Sequence, residues 1–176
     1  HYDNISAFIK SMRGSDADAA VFYLARALNG GEDPVFLARR IVIAAAEDVG
    51  MANPHALVVA TSAMQAVTMV GMPEARIILS EAAIYVANSK KSNASYLAIN
   101  KALEDVRTGR CGNVPNHIKT TSQDYKYPHD YPNHFVVQDY LPENLRKKKY
   151  YIPCDNSQNE RMLKQIKEKI DKLKQE

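Results

Sequence analysis

Glycine disappears from the sequence after Gly112, cysteine occurs only twice, and no apolar run approaches the length that crosses a bilayer. A membrane-spanning helix needs about 18 or more consecutive apolar residues, so none is encoded here. Cys111 and Cys154 are too few for a disulfide framework or a four-ligand zinc site, and both are read as free thiols of a reducing compartment. The phosphate-cradling patterns GxxxxGKS/T and GxGxxG are missing, as is the nucleophile elbow GxSxG, which excludes nucleotide hydrolysis by this segment. The opening residues, HYDNISAFIK, lack the basic-then-apolar plan of a secretory signal and begin without Met. The sequence is therefore expected to be a piece of a longer protein.

What remains is the make-up of a globular chain, 45% hydrophobic and 24% charged over 176 residues. The net charge of +3 is unevenly placed. Residues 1–142 hold 13 Lys/Arg against 14 Asp/Glu, whereas residues 143–176 hold 10 against 6. The basic excess thus lies around Arg146, Lys147, Lys148 and Lys149 and along the last stretch, a distribution suited to nucleic acid or an acidic partner, or to a solvated Lys-rich surface.

Proline and glycine punctuate the first part as helix starts and stops. A first helix over about 3–13 ends at Gly14. Ser15 is expected to cap a second, with Asp18 completing a capping box, and this helix ends at Gly30-Gly31. Asp33-Pro34 opens a third that runs to Gly50, Asn53-Pro54 a fourth that closes at Gly71, and Pro73 a fifth that reaches about Asn88. Ser92 or Asn93 caps a sixth that ends near Gly109. The fold class is all-α, a bundle of about six helices followed by an irregular Pro/Tyr-rich strap and a C-terminal helix over about 157–175. In that last helix Leu163, Ile166, Ile170 and Leu173 follow a two-per-heptad spacing. The chain divides as residues 1–112, a helical oligomerisation bundle, and 113–176, strap and basic helix packed on the same domain.

The third to fifth helices are apolar around more of their surface than the stripe about 100° wide that a monomer's surface helix needs. Such excess points either to a layered core or to a face buried against another subunit.

Three clusters are candidates for chemistry. Glu47 and Asp48 sit at a helix C-terminus, where negative charge opposes the macrodipole, so a cation must compensate. Arg40, two turns back, and Arg76 are the expected partners, making Arg40, Glu47, Asp48 and Arg76 a structural ion-pair network rather than an acid–base pair. His129, Asp130 and His134 offer metal-ligating atoms at a spacing that fits no zinc pattern, and are read as hydrogen bonding within an ordered loop. The stretch YKYPHDYPNHFVVQDYLP (125–142) packs five aromatic rings and three prolines into one loop. It is read as a strap whose tyrosine hydroxyls bond backbone, with Tyr125 and Tyr127 as a base-stacking platform in the alternative reading. Lys126, Arg146, Lys147, Lys148 and Lys149 are the candidate DNA contacts.

RGSDADAAVFYLARAL (13–28), EDPVFLARRIVIAAAEDVGMANPHAL (32–57), GMPEARIILSEAAIYVANSKKSNASY (71–96) and the 125–142 stretch, in this order, resemble the C-terminal region of the replication-associated recombination ATPases, the MgsA/RarA family, and its eukaryotic Werner-helicase-interacting relatives. The likeness runs to about Asp155 and fades in the Lys-rich last helix. It implies a homotetramerisation region that follows a clamp-loader-like AAA+ module. ATP and magnesium would act in that module, and the parent would be a DNA-dependent ATPase at stalled or gapped replication forks. It also implies single-stranded-DNA-binding protein as a partner, and a cytoplasmic, nucleoid-associated location. The alternative, from the basic aromatic segment alone, is a stand-alone DNA-binding module.

Overall fold

A computed structural model describes residues 1–176 as seven α-helices without a strand. They are α1 (Tyr2–Arg13), α2 (Ala17–Asn29), α3 (Pro34–Ala44), α4 (His55–Val70), α5 (Ala75–Asn88), α6 (Ala94–Arg107) and α7 (Gln158–Gln175). The fold is all-α, and short 3-10 turns take the place of strands in the Pro/Tyr-rich stretch. No helix is long and apolar enough to cross a membrane. The residues fall into two compact units, 1–96 with 153–162, and 97–152 with 163–176.

In the first unit α5 is the central element and touches α1, α2, α3 and α4, while α3 packs against α1, α4 and α5. Leu37, Ala38, Ile41 and Ala44 of α3 are buried at helical spacing beside Phe8 and Met12 of α1 and Leu79 and Val86 of α5. Each of those large side chains contributes about 1.5–3 kcal/mol through burial, so α1, α3 and α5 supply most of the hydrophobic free energy of this unit. Alanine fills most of the remaining interior positions, beside Leu24, Val49 and Val67, and lets the helices approach closely.

Two helix ends differ from the sequence expectation. Asp16, not Ser15, caps α2, its Oδ1 accepting from the Ala19 N–H at 2.9 Å. Ser15 closes α1 instead. It adopts φ +64°, and the Asp16 N–H reaches back to Ser11 O at 3.0 Å. That is the helix-ending motif usually built on a left-handed glycine, placed one residue beyond Gly14. Gly31 at φ +86° and Gly109 at φ +83° close α2 and α6 in the same way, with six-residue returns from Glu32 to Ala27 and from Arg110 to Asp105.

The third helix also does not run to Gly50 as a plain α-helix. It passes at Ala44 into a π-turn over Ala45–Val49 and then into a 3-10 turn over Gly50–Ala52. Widening the helix at this point turns Asp48 inward, where it is buried. The Asp48 carbonyl accepts from the Ser92 N–H at 2.8 Å, which fastens the turn to the residues that open α6. Ser92 Oγ in turn accepts from the Ala94 N–H at 3.3 Å, the cap foreseen for that helix.

The start of α7 belongs to the first unit. Ser157 and Glu160 form the S-x-x-E pattern of a capping box, with the Glu160 N–H donating to Ser157 Oγ at 3.1 Å and the Glu160 side chain fully buried. Asn156 donates to Lys91 O and Asn159 to Met51 O, so this segment is held by backbone carbonyls of the same unit.

Candidate assembly face and nucleic-acid segment

α4 packs in an unusual sense. Its buried residues are Ala56, Ala60, Ala63 and Val67, spaced four, three and four apart. Its larger apolar side chains Leu57, Val58, Met69 and Val70 are exposed, Val58 at 56% and Met69 at 85%. The neighbouring α5 buries Leu79 and Val86 but exposes Ile77 and Ile84. A groove between the two is lined by Val58, Val59, Ala66 and Ile78, with His55, Ser62 and Glu81 as the polar members of its walls. A lone bundle gains by pointing large apolar groups inward, since burial free energy grows with the apolar area removed from water. Here the small side chains are inside and several large ones outside. α3 leaves only Ile43 exposed among its large apolar side chains, whereas α4 and α5 leave several at the surface.

The acidic pair is not held as the sequence suggested. Arg13 of α1 takes both carboxylates, with Nε 2.9 Å from Asp48 Oδ1 and Nη2 3.4 Å from Glu47 Oε2. Asp48, through this hydrogen bond, holds the pKa of the Arg13 guanidinium above its ordinary value. Arg76 instead donates to Pro73 O at 2.6 Å, and the Arg40 Nε is buried without a hydrogen-bond partner. The network of Arg40, Glu47, Asp48 and Arg76 is therefore replaced by a triad of Arg13, Glu47 and Asp48. The π-turn is the cause, because it brings both consecutive carboxylates round to α1. Lys91 lies close enough to feel Asp48 as well, although its burial lowers its pKa below 10.5. Its Nζ donates to Ser15 Oγ, Ala87 O and Ser89 O, tying the end of α1 to the end of α5.

Arg13→Gln is expected to destabilise the chain by about 1–2 kcal/mol, less than for a fully buried pair because Arg13 is half exposed. That corresponds to a fall in melting temperature of roughly 3–6 °C for a chain of this size. Glu47→Gln should change it by less than about 2 °C, and Arg40→Gln should leave it unchanged. Thermal melts of the three variants followed by circular dichroism check this ordering.

In the second unit the basic residues divide into engaged and free. Lys148 Nζ lies 3.2 Å from the buried Asp105, whose carboxylate also accepts from the Tyr150 hydroxyl at 2.7 Å. The Tyr150 hydrogen bond, followed by Lys148 and Arg110, holds Asp105 below its ordinary pKa of 3.8, against the opposing effect of burial. Lys149 pairs with Asp171 at 3.1 Å and Arg146 with Asp139 at 3.3 Å. Lys126 and Lys147 are exposed and have no ion-pair partner.

The aromatic segment is not uniform either. Tyr150 fits the strap reading, although its hydroxyl bonds a carboxylate rather than backbone. Tyr140 is held by Gln138 Nε2 at 2.9 Å, with Lys174 Nζ 5.7 Å from its ring centroid. Tyr125 and Tyr127 are about half exposed and make no hydrogen bond through their hydroxyls. The histidines meet each other, His129 Nδ1 to His134 Nδ1 at 2.9 Å, with Tyr127 edge-on to His129. No third His, Cys, Asp or Glu joins them in a metal-sized cluster.

Residues 14–174 match the family described as the MgsA AAA+ ATPase C terminal, and the chain belongs to that family. It is 46% identical to replication-associated recombination protein A of Bacillus subtilis, an alignment covering 99% of this chain and 44% of that protein. An uncharacterized AAA domain-containing protein of Mycobacterium tuberculosis is 49% identical over 87% of this chain and 36% of its own length. The ATPase WRNIP1 of Dictyostelium discoideum is 36% identical over 85% of this chain and 18% of that protein. The chain thus spans less than half the length of each of these relatives.

Proposed function

We propose that this chain is the homotetramerisation scaffold of a DNA-dependent AAA+ ATPase that acts in replication and recombination at stalled or gapped forks. The observation that carries the assembly role is the inverted packing of α4, alanines inward and Leu57, Val58, Met69 and Val70 outward, continued by Ile77 and Ile84 of α5. ATP and magnesium act in the parent's AAA+ module, and four such modules held together would add weak DNA contacts through effective concentration. DNA and single-stranded-DNA-binding protein are the partners of the assembled parent, in the cytoplasm at the nucleoid. Light scattering on the purified chain tests the assembly role. A mass near four times 19.7 kDa is expected, and a monodisperse 19.7 kDa species at micromolar concentration overturns it.

The alternative role, direct binding of single-stranded DNA, rests on Lys126 and Lys147, which are unpaired, and on the open rings of Tyr125 and Tyr127 that flank Lys126 in the chain. Arg146 and Lys149 are secondary candidates, because each would have to leave an aspartate. Lys126→Ala with Lys147→Ala should lower the slope of log K against log salt by about 0.7 per phosphate contact, so by about 1.4 together. Lys148→Ala should instead lower the melting temperature, since it removes a partner of a buried carboxylate. Salt-dependent anisotropy with a labelled oligonucleotide, run beside thermal melts, separates the two effects.

A further inference from the structure

With Arg13 committed to Asp48 and Glu47, Arg40 is left without a carboxylate partner, and its surroundings are specific. Arg40 lines a groove of about 400 Å³ between α1 and α3, into which its own helix also sends Phe36. From α1 come Ile5 and Ile9, one turn apart, with Lys10 and Arg13 on the rim. No acidic side chain lines this groove. Arg40 has a buried Nε with no hydrogen-bond partner, and no ion pair holds its guanidinium. The residues Ile5, Ile9 and Phe36 are each only partly buried, so the floor is apolar and still open to solvent.

We infer that the α1–α3 groove is a docking site for a short acidic segment of a partner protein, one that carries an apolar side chain next to its carboxylates. The charge complementarity is one-sided, with Lys10 and Arg40 offering donors and the lining offering no competing carboxylate. An arginine whose planar fork is unoccupied is matched to a carboxylate, and the aliphatic floor beside it is matched to a leucine- or phenylalanine-sized group. Nucleic acid suits the site less well. Phosphates would use the cations but would leave the aliphatic side chains of Ile5 and Ile9 uncovered, although the exposed Tyr2 ring lies on the same rim. The segment enters along α1, whose Ile5, Ile9 and Arg13 lie on one helix face. This goes beyond the assembly reading, since the α4–α5 face shares no lining residue with it.

The test uses a fluorescein-labelled peptide holding a pair of leucines between glutamates, titrated with the chain at low salt. Binding in the micromolar range is expected. Replacing the leucines by serine, or the glutamates by lysine, should weaken it at least about tenfold, as should Arg40→Gln or Ile9→Ser in the protein. Arg39→Gln, one residue away on the exposed side of α3, should bind like the parent chain. Helicity by circular dichroism confirms that each variant is folded, and two variants of different chemistry guard against one failing to fold. Several results overturn the proposal. These are no binding of the peptide, equal binding of its serine version, or an Arg40→Gln protein that binds unchanged. An oligonucleotide that competes for the groove and is lost with Arg40→Gln would reassign it to nucleic acid. A change in oligomeric mass with the same variant would reassign it to a contact between copies.

Discussion

Val58→Asp combined with Ile77→Asp is expected to reduce the mass of the chain in solution to 19.7 kDa while leaving its helical signal intact. Both side chains are more than half exposed in the single subunit, at 56% and 58%, so an aspartate at either place is hydrated and harmless there. In an assembly that covers the α4–α5 face the same carboxylates would be enclosed without a cation. An uncompensated buried charge costs about 3–5 kcal/mol, and the penalty recurs in every subunit. That outweighs the apolar contacts which two residues of this size supply, about 1.5–3 kcal/mol each. Phe22→Asp, exposed to the same degree on α2, is the control and should leave the mass unchanged. Light scattering and far-ultraviolet circular dichroism on the same samples check both halves of the expectation. A double variant that keeps the parent mass would move the assembly surface off these helices.

The largest effect on stability is expected from Gly50→Ala. Gly50 stands at φ +50° and ψ −133°, a region that residues with a side chain avoid. An added Cβ would also lie 2.9 Å from the Ser92 carbonyl oxygen and 3.2 Å from Ser95 Oγ. The serine hydroxyl can rotate away, but the carbonyl belongs to a backbone that the Asp48–Ser92 hydrogen bond holds in place. Backbone strain alone costs about 1–3 kcal/mol, and the contact adds to it. A total near 4 kcal/mol would lower the melting temperature by roughly 8–16 °C. Gly71→Ala is the comparison. Its φ is +73° but nothing lies within 4 Å of the added carbon, so the strain acts alone and the loss should be visibly smaller. Equal losses would show that crowding against Ser92 contributes nothing.

Much of this architecture is written in short-range signals. Asp33-Pro34 starts α3 and Ser92 caps α6 because each satisfies orphaned N–H groups within a few residues, which sequence displays directly. Ser157-x-x-Glu160 is a signal of the same kind that sequence reading passed over, although the pattern was there to be found. The excess apolar surface of α4 and α5 was legible as a quantity. Which of their residues face outward was not, because alanine and valine score alike in a periodicity and only packing separates them. The Arg13 partnership was hidden for a different reason. Reasoning from a helix favours partners one or two turns away, such as Arg40, whereas Arg13 lies 35 positions from Asp48 and meets it only through the packing of α1 against α3. The same limit applies to Lys148. Within a run of four basic residues nothing local marks the one that faces a buried aspartate 43 positions earlier.

The π-turn at Ala45–Val49 accommodates one residue more than a regular helical turn would. Each residue of an α-helix turns the chain by about 100°, so two consecutive side chains diverge too far to share one guanidinium comfortably. A π-turn closes its ring over one more residue than an α-turn and so takes up a single extra position without moving the helix that precedes it. Positions up to Ala44 therefore keep the core register of Leu37 and Ile41, and the chain leaves the π-turn through the 3-10 turn at Gly50–Ala52. Deleting one residue from this turn would return a regular helix and, in the same stroke, carry Asp48 away from Arg13 and Gly50 away from Ser92. The extra residue is the hinge pin between the end of one helix and the start of another, and it is removable only together with what it joins.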